Sequence, residues 1–343
     1  METKFWIRLV VACISALLVA APGAAQAKEE QIQLTYSIFF PAAHGQAEAG
    51  AAWAREIEQR TNGRVKINVF PGGTLTSAKD CYDGVVKGIS DIGMSCFAYS
   101  RGRFPIMETV DLPLGYPSGI VATRVANEFY AVMKPRELDD VKVLYLHAHG
   151  PGLLHTKKPV AKLEDLKGMK IRSTGFSAKV VEALGGIPVA MPQPDTYEAL
   201  RKGVVDGTFT PIETLKGWKQ AEVIKSTTDC VAVGYTTAMF VVMNKKKWES
   251  LPLEIKKVFD EVSAAWVDTH GTLWDKLDAE GRTFTTSLNN PIITLSPEEN
   301  QRWVAAVSPI IDEFRTNLNK NGLPGDQAIA EIKRLLQRHT STH

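Results

Sequence analysis

Asp80-Cys81-Tyr82-Asp83-Gly84-Val85-Val86-Lys87-Gly88-Ile89-Ser90-Asp91 returns further along the chain as Asp195-Thr196-Tyr197-Glu198-Ala199-Leu200-Arg201-Lys202-Gly203-Val204-Val205-Asp206. An apolar, β-rich run precedes each copy, residues 65–70 and 187–191, and a short apolar run follows each. The spacing predicts strand, helix, strand. Lys87 and Lys202 suit the negative end of a helix dipole, and Gly88 and Gly203 suit the left-handed residue that closes a helix. Each copy therefore reads as a parallel βαβ crossover. The copies are too far apart for a solenoid, so two similar α/β lobes are expected, one copy in each. Such a chain binds something between its lobes.

Residues 1–27 carry Lys4 and Arg8, an apolar run over 9–21, and Ala25-Gln26-Ala27. This is the pattern of a cleaved secretory signal peptide, so the mature protein is expected to be soluble and exported. Its removal leaves 38 basic and 37 acidic residues, a balance that implies no nucleic-acid or membrane partner. The remaining length suits two ordinary domains. With no low-complexity linker in view, the chain is expected to cross between lobes several times: residues 28–150 with 236–276 in lobe I, 151–235 with 277–320 in lobe II, and a C-terminal helix over 321–343.

Cys81, Cys96 and Cys230 survive removal of the leader. Cys81 starts the first repeat helix and Cys96 lies just past the following strand, so both belong to one sheet edge. This favours a Cys81–Cys96 disulfide over two unpaired buried thiols and leaves Cys230 as the odd thiol.

Enzyme signatures are sparse. His147-x-His149, with His155 nearby, places two imidazoles on one strand face, as zinc ligands sometimes are, yet no acid or thiol at ligand spacing accompanies them. Polar residues at a strand end are the simpler reading. Nucleophile elbows, His-Glu-x-x-His and phosphate loops are all missing from the sequence. The helical pattern over 259–277 carries Trp266 and Trp274 as core aromatics. Residues 166–175 are more informative: Met169 and Ile171 alternate with Lys170 and Arg172 in a short strand that leads into a helix. Arg172 thus sits at a carboxyl strand end beside helix-start amides, where a guanidinium grips a carboxylate with two parallel hydrogen bonds. An ordinary surface or interlobe salt bridge accounts for it equally well.

Across the mature chain the sequence resembles the solute-binding proteins of tripartite ATP-independent periplasmic (TRAP) transporters, the DctP family. The resemblance rests on Thr61-Asn62-Gly63-Arg64-Val65, Phe70-Pro71-Gly72-Gly73-Thr74-Leu75, Asp111-Leu112-Pro113 and Asp165-Leu166-Lys167-Gly168-Met169-Lys170-Ile171-Arg172. It continues in Tyr197-Glu198-Ala199-Leu200, Gly203-Val204-Val205-Asp206-Gly207, Asn244 and Leu251-Pro252. It implies an α/β, two-lobed periplasmic binding fold, each lobe a sheet flanked by helices, with a long helix spanning both. It also implies a non-enzymatic receptor without cofactor or metal, which hands a small organic anion to TRAP permease subunits. The carboxylate-binding arginine would be Arg172. Thr210 stands where relatives often carry asparagine, and no arginine occurs over 150–155, where relatives that bind sialic acid carry a second one.

Superposing the repeats puts Ser95 on Thr210 and Cys96 on Pro211, at strand ends where ligands gather. Phe39, Phe40, Phe97 and Tyr99 are candidate aromatic walls; Gln193 and Trp218 are candidates from the second lobe. Relatives for larger acids have polar groups where Phe39 and Cys96 fall, which points to a compact carboxylate, an aromatic acid or a sulfonate. A monomer is expected. The competing classes are a receptor presenting ligand to a sensor kinase and a periplasmic metal-dependent enzyme using His147 and His149.

Overall fold

The computed structural model describes residues 31–341; the expected signal peptide lies outside the described residues. The strands are β1 (Ile32–Ile38), β2 (Val65–Phe70), β3 (Ile92–Cys96), β4 (Val141–Ala148), β5 (Leu153–Thr156), β6 (Lys170–Ser173), β7 (Ile187–Ala190), β8 (Gly207–Thr210), β9 (Ser226–Asp229), β10 (Ala238–Asn244) and β11 (Ile292–Thr294). They form two sheets, ordered β2-β1-β3-β10-β4 and β11-β9-β5-β8-β6-β7.

The repeat reappears as β2, helix Cys81–Val86, β3 and as β7, helix Thr196–Arg201, β8. Gly88 and Gly203, at φ 74° and 73°, follow the cap residues Lys87 and Lys202 in the left-handed conformation. In each sheet a third strand separates the repeat's two strands: β1 pairs in parallel with β2 and β3, and β6 with β7 and β8. The structural duplication is therefore larger than the sequence repeat. It spans strand, helix, strand, helix, strand, ordered 2-1-3, in both lobes. An antiparallel strand completes each half, β10 beside β3 and β5 beside β8.

The chain passes between sheets at residues 149–152, between β4 and β5, and at 230–237, between β9 and β10. A third passage is helix Leu253–Ser287, 35 residues long and so roughly 50 Å. It packs against helices Gly45–Arg60 and Gly119–Met133 and against β4, then against Glu213–Gly217 of the second lobe. Helix Gly325–Thr340 packs back on Gly119–Met133. Among the described residues, no helix is long and apolar enough to cross a membrane.

The expected Cys81–Cys96 bridge is not present: both are free, buried thiols, as is Cys230. Side chains alternate across a strand. Gly93 and Ser95 face helix Cys81–Val86, and a Cβ on Gly93 would meet Cys81 Sγ at 2.8 Å. Ile92, Met94 and Cys96 face the other way, into the cluster that holds Tyr36, Ile38 and Trp53, whereas Cys81 belongs to the cluster with Tyr82, Val85 and Phe97. The two sulfurs share an edge but lie on opposite faces of the sheet. Burial pushes the Cys81 thiol up to about 12 and raises that of Cys96 further.

Candidate ligand-binding site

The carboxyl ends of the parallel strands in both lobes converge on one cavity. Arg172 comes from the end of β6, Gln193 follows β7, and Thr210 ends β8. The first lobe supplies Phe39 and Phe40 after β1, Cys96 at the end of β3 and Tyr99 after it. This is where open α/β sheets bind ligands, because strand-end loops leave backbone and side-chain groups converging on a crevice.

Arg172 is 4% exposed. Its Nε and Nη2 donate to the Met191 carbonyl at 3.0 and 2.9 Å, and Nη2 also reaches Thr174 Oγ1 at 3.3 Å. Among the described residues it forms no ion pair, so the salt-bridge reading has no partner carboxylate. The sharing of one carbonyl aims the guanidinium and leaves Nη1 unbonded. Gln193 Nε2 and Trp218 Nε1 are two further buried donors without partners among the described residues, on the same cavity. Burial pushes His149 down to about 4, and the charge of Arg172 adds to the effect, so His149 is neutral at physiological pH.

Aromatic rings form the walls. Phe39 lies nearly parallel to Trp218 with centroids 6.1 Å apart, and Phe40 packs on His44 at 4.5 Å and Trp274 at 5.9 Å. Contacts across the cleft hold the lobes together: Gln193 N donates to Tyr99 Oη at 3.2 Å, and His44 Nε2 donates to Glu213 Oε2 at 2.9 Å. His44 also caps helix Gly45–Arg60, its Nδ1 accepting from Gln46 N at 3.2 Å. With Nδ1 accepting, the hydrogen must lie on Nε2.

Of the residues singled out from sequence, Arg172, Thr210, Phe39, Cys96, Gln193 and Trp218 line this cavity. Ser95 and Phe97 do not. Ser95 points to the opposite sheet face, where its Oγ donates to Ala78 O at 2.6 Å, and Phe97 packs in the core against Phe104 and Phe240. Cys96, not Ser95, shares the cavity with Thr210. Sequence superposition gave the right strand end and the wrong side of the pleat.

Trp274 was expected to be core, and it is 1% exposed, but it also lines the cavity. Its Nε1 donates to His147 Nδ1 at 3.0 Å, which leaves the buried His147 Nε2 without a partner. His147 also stacks on His270 at 4.5 Å. His155 is held by Thr227 and the Thr210 carbonyl. No group of three His, Cys, Asp or Glu side chains among the described residues is placed to hold a metal. Glu213, Tyr235, Thr237 and Met239 also line the cavity without having been singled out. Met239 pairs with Cys96 across β3 and β10, strands far apart along the chain, so nothing local in the sequence marked it.

Comparison with known proteins agrees with the fold. The model of bacterial extracellular solute-binding protein family 7, DctP, matches residues 36–317. A TRAP solute-binding protein from Rhodoferax ferrireducens, in complex with copurified benzoate, is 28% identical over 91% of this chain and 99% of its own, with a TM-score of 0.87. A marine metagenome TRAP solute-binding protein specific for aromatic acid ligands, with 3-hydroxybenzoate bound, is 31% identical over 90% and 98% of the two chains, with a TM-score of 0.85. The C4-dicarboxylate-binding periplasmic protein DctP of Rhodobacter capsulatus is 24% identical over 95% and 97%. Members of this family are solute-binding proteins, not enzymes. The chain belongs to bacterial extracellular solute-binding protein family 7, the DctP family of TRAP solute receptors.

Proposed function

We propose that this receptor binds a compact aromatic monoacid between its lobes, with the acid group on Arg172 and Gln193 and the ring among Phe39, Phe40, Trp218 and Trp274. It works in the periplasm as a monomer, after loss of residues 1–27, and hands its ligand to TRAP permease subunits. Lobe I comprises 28–150 and 236–276, and lobe II 151–235 and 277–320.

The observation that carries this reading is Arg172: a buried guanidinium in no ion pair with a carboxylate among the described residues, in an aromatic-walled cavity. A buried charge without a counter-charge is costly, and an incoming carboxylate removes that cost through a paired, charge-assisted hydrogen bond. Benzoate and 3-hydroxybenzoate in the two relatives agree with this choice. Thr210 fits the same reading. Its hydroxyl is bonded to Thr214 Oγ1 at 2.9 Å, so it leaves the acid mainly to Arg172 and Gln193. A polyhydroxylated sugar acid matches these walls poorly, since each buried hydroxyl without a partner costs about 1–3 kcal/mol.

A thermal-shift screen tests the reading. A matched ligand at 100 times its dissociation constant stabilises by about 2.7 kcal/mol. Benzoates should raise the melting temperature and hexuronates should not; the reverse pattern overturns the aromatic preference.

A further inference from the structure

The cavity has a second charged wall. Glu213, 3% exposed, follows β8 on helix Glu213–Gly217 and lines the same space as Arg172. Its Oε2 takes the Nε2–H of His44, whose tautomer is fixed by the helix-capping bond from Gln46 N. Its Oε1 takes no hydrogen bond among the described residues. The carboxylate is therefore anchored through one oxygen, and the other has no partner among the described residues, in a side chain that shares the cavity wall with Phe39, Phe40 and Trp218. Arg172, Glu213 and the neutral His149 share the cavity wall, among the described residues, with the Cys96 thiol and the Tyr99 and Tyr235 hydroxyls, whose ionisation burial pushes up.

We infer that Glu213 is a specificity residue that accepts a hydrogen bond from a hydroxyl on the ligand ring, so that the preferred ligand is a hydroxylated aromatic monoacid. This rests on the proposed aromatic-acid function and deepens it. One preference and two rejections follow from the chemistry of one carboxylate oxygen. A hydroxyl donates to it. A methoxy group has no hydrogen to donate, and brings a second acceptor against the first. A second carboxylate brings like charge into a buried site, so a diacid is excluded even though Arg172 welcomes its other end. His44 is a positioning residue here: it holds Oε2 so that Oε1 is presented.

The test is calorimetric titration of benzoate, 3- and 4-hydroxybenzoate, their methoxy counterparts, isophthalate and terephthalate. In the wild-type protein, one of the hydroxybenzoates should bind roughly 10- to 100-fold more tightly than its methoxy counterpart, and neither diacid should bind measurably. In Glu213→Gln the side-chain oxygen keeps the His44 bond and an N–H replaces the open acceptor. The hydroxy-to-methoxy ratio should then fall to unity or reverse, a change that a merely structural role would not produce. Benzoate binding with no hydroxyl preference in the wild type overturns this inference and leaves the aromatic-acid reading standing. Absence of binding by every acid in the set overturns both.

Discussion

Replacing Arg172 with Met separates a binding role from a structural one, because the two make opposite demands on the empty protein. Met fills much of the same volume, and the Met191 carbonyl that Arg172 occupies keeps its hydrogen bond from Thr174 Oγ1 at 3.0 Å. The substitution removes two N–H donations to that carbonyl and one to Thr174, at a net cost near 1 kcal/mol each. It also removes a buried charge that no protein carboxylate offsets, which returns a similar amount. The empty variant should therefore melt within about 2 °C of the wild type, the shift produced by roughly 1 kcal/mol in a chain of this size. Ligand binding loses a buried charge pair worth about 2–5 kcal/mol, or roughly 30-fold to several thousandfold in dissociation constant. Differential scanning calorimetry of the empty protein and titration with 3-hydroxybenzoate read the two quantities separately. A variant that melts more than 10 °C lower, or one that binds the acid as tightly as the wild type, would refute the reasoning.

Other outcomes follow from particular contacts. Gly175 adopts φ +54°, and a Cβ there would meet the Ala98 Cβ at 2.8 Å across the cleft; Gly175→Ala should wedge the lobes apart and weaken ligand binding by about tenfold or more, measured by titration. Asp278 is held up to about 8 by burial and by the neighbouring Glu213. Its folded value lies above its unfolded one, so the folded state binds the extra proton, and this group's contribution to stability falls as pH rises from about 4 to 8. Asp278→Asn keeps an acceptor for Glu213 N and should stabilise the protein at pH 8 by more than about 1.4 kcal/mol, the free energy of one unit, while making no gain at pH 4; denaturant unfolding at both values checks this. Cys81 and Cys96 should both alkylate after denaturation without reductant, and a disulfide-linked peptide in the mass spectrum would contradict the placement of the two thiols on opposite sheet faces.

The duplicated lobes were legible because the repeat keeps the features that backbone geometry demands: an apolar strand, a helix, and a glycine at the left-handed closing position. Arg172 was legible for a related reason, since a short alternating strand that runs into a helix fixes which residue ends at the cleft. What failed was the side of the pleat. Ser95 was assigned to the cavity and Cys96 to the face of Cys81 by distance along the chain, and a shift of one residue moves a side chain through the sheet to the other face. The partnership of His44 and Glu213 was out of reach altogether. The two are 169 positions apart, and nothing local to either residue signals the other. Trp274 illustrates a subtler loss, because helical periodicity shows that it is buried but not that the burial borders a cavity.

In the proposed function, the acid group of an aromatic ligand matches the buried charge of Arg172. Titration of the wild-type protein with 3-hydroxybenzoate and with 3-hydroxybenzamide, an uncharged molecule of nearly the same shape, tests it most directly. The acid should bind, and the amide should bind at least about 30-fold more weakly. Equal affinity for the two, or no heat from either, would contradict it.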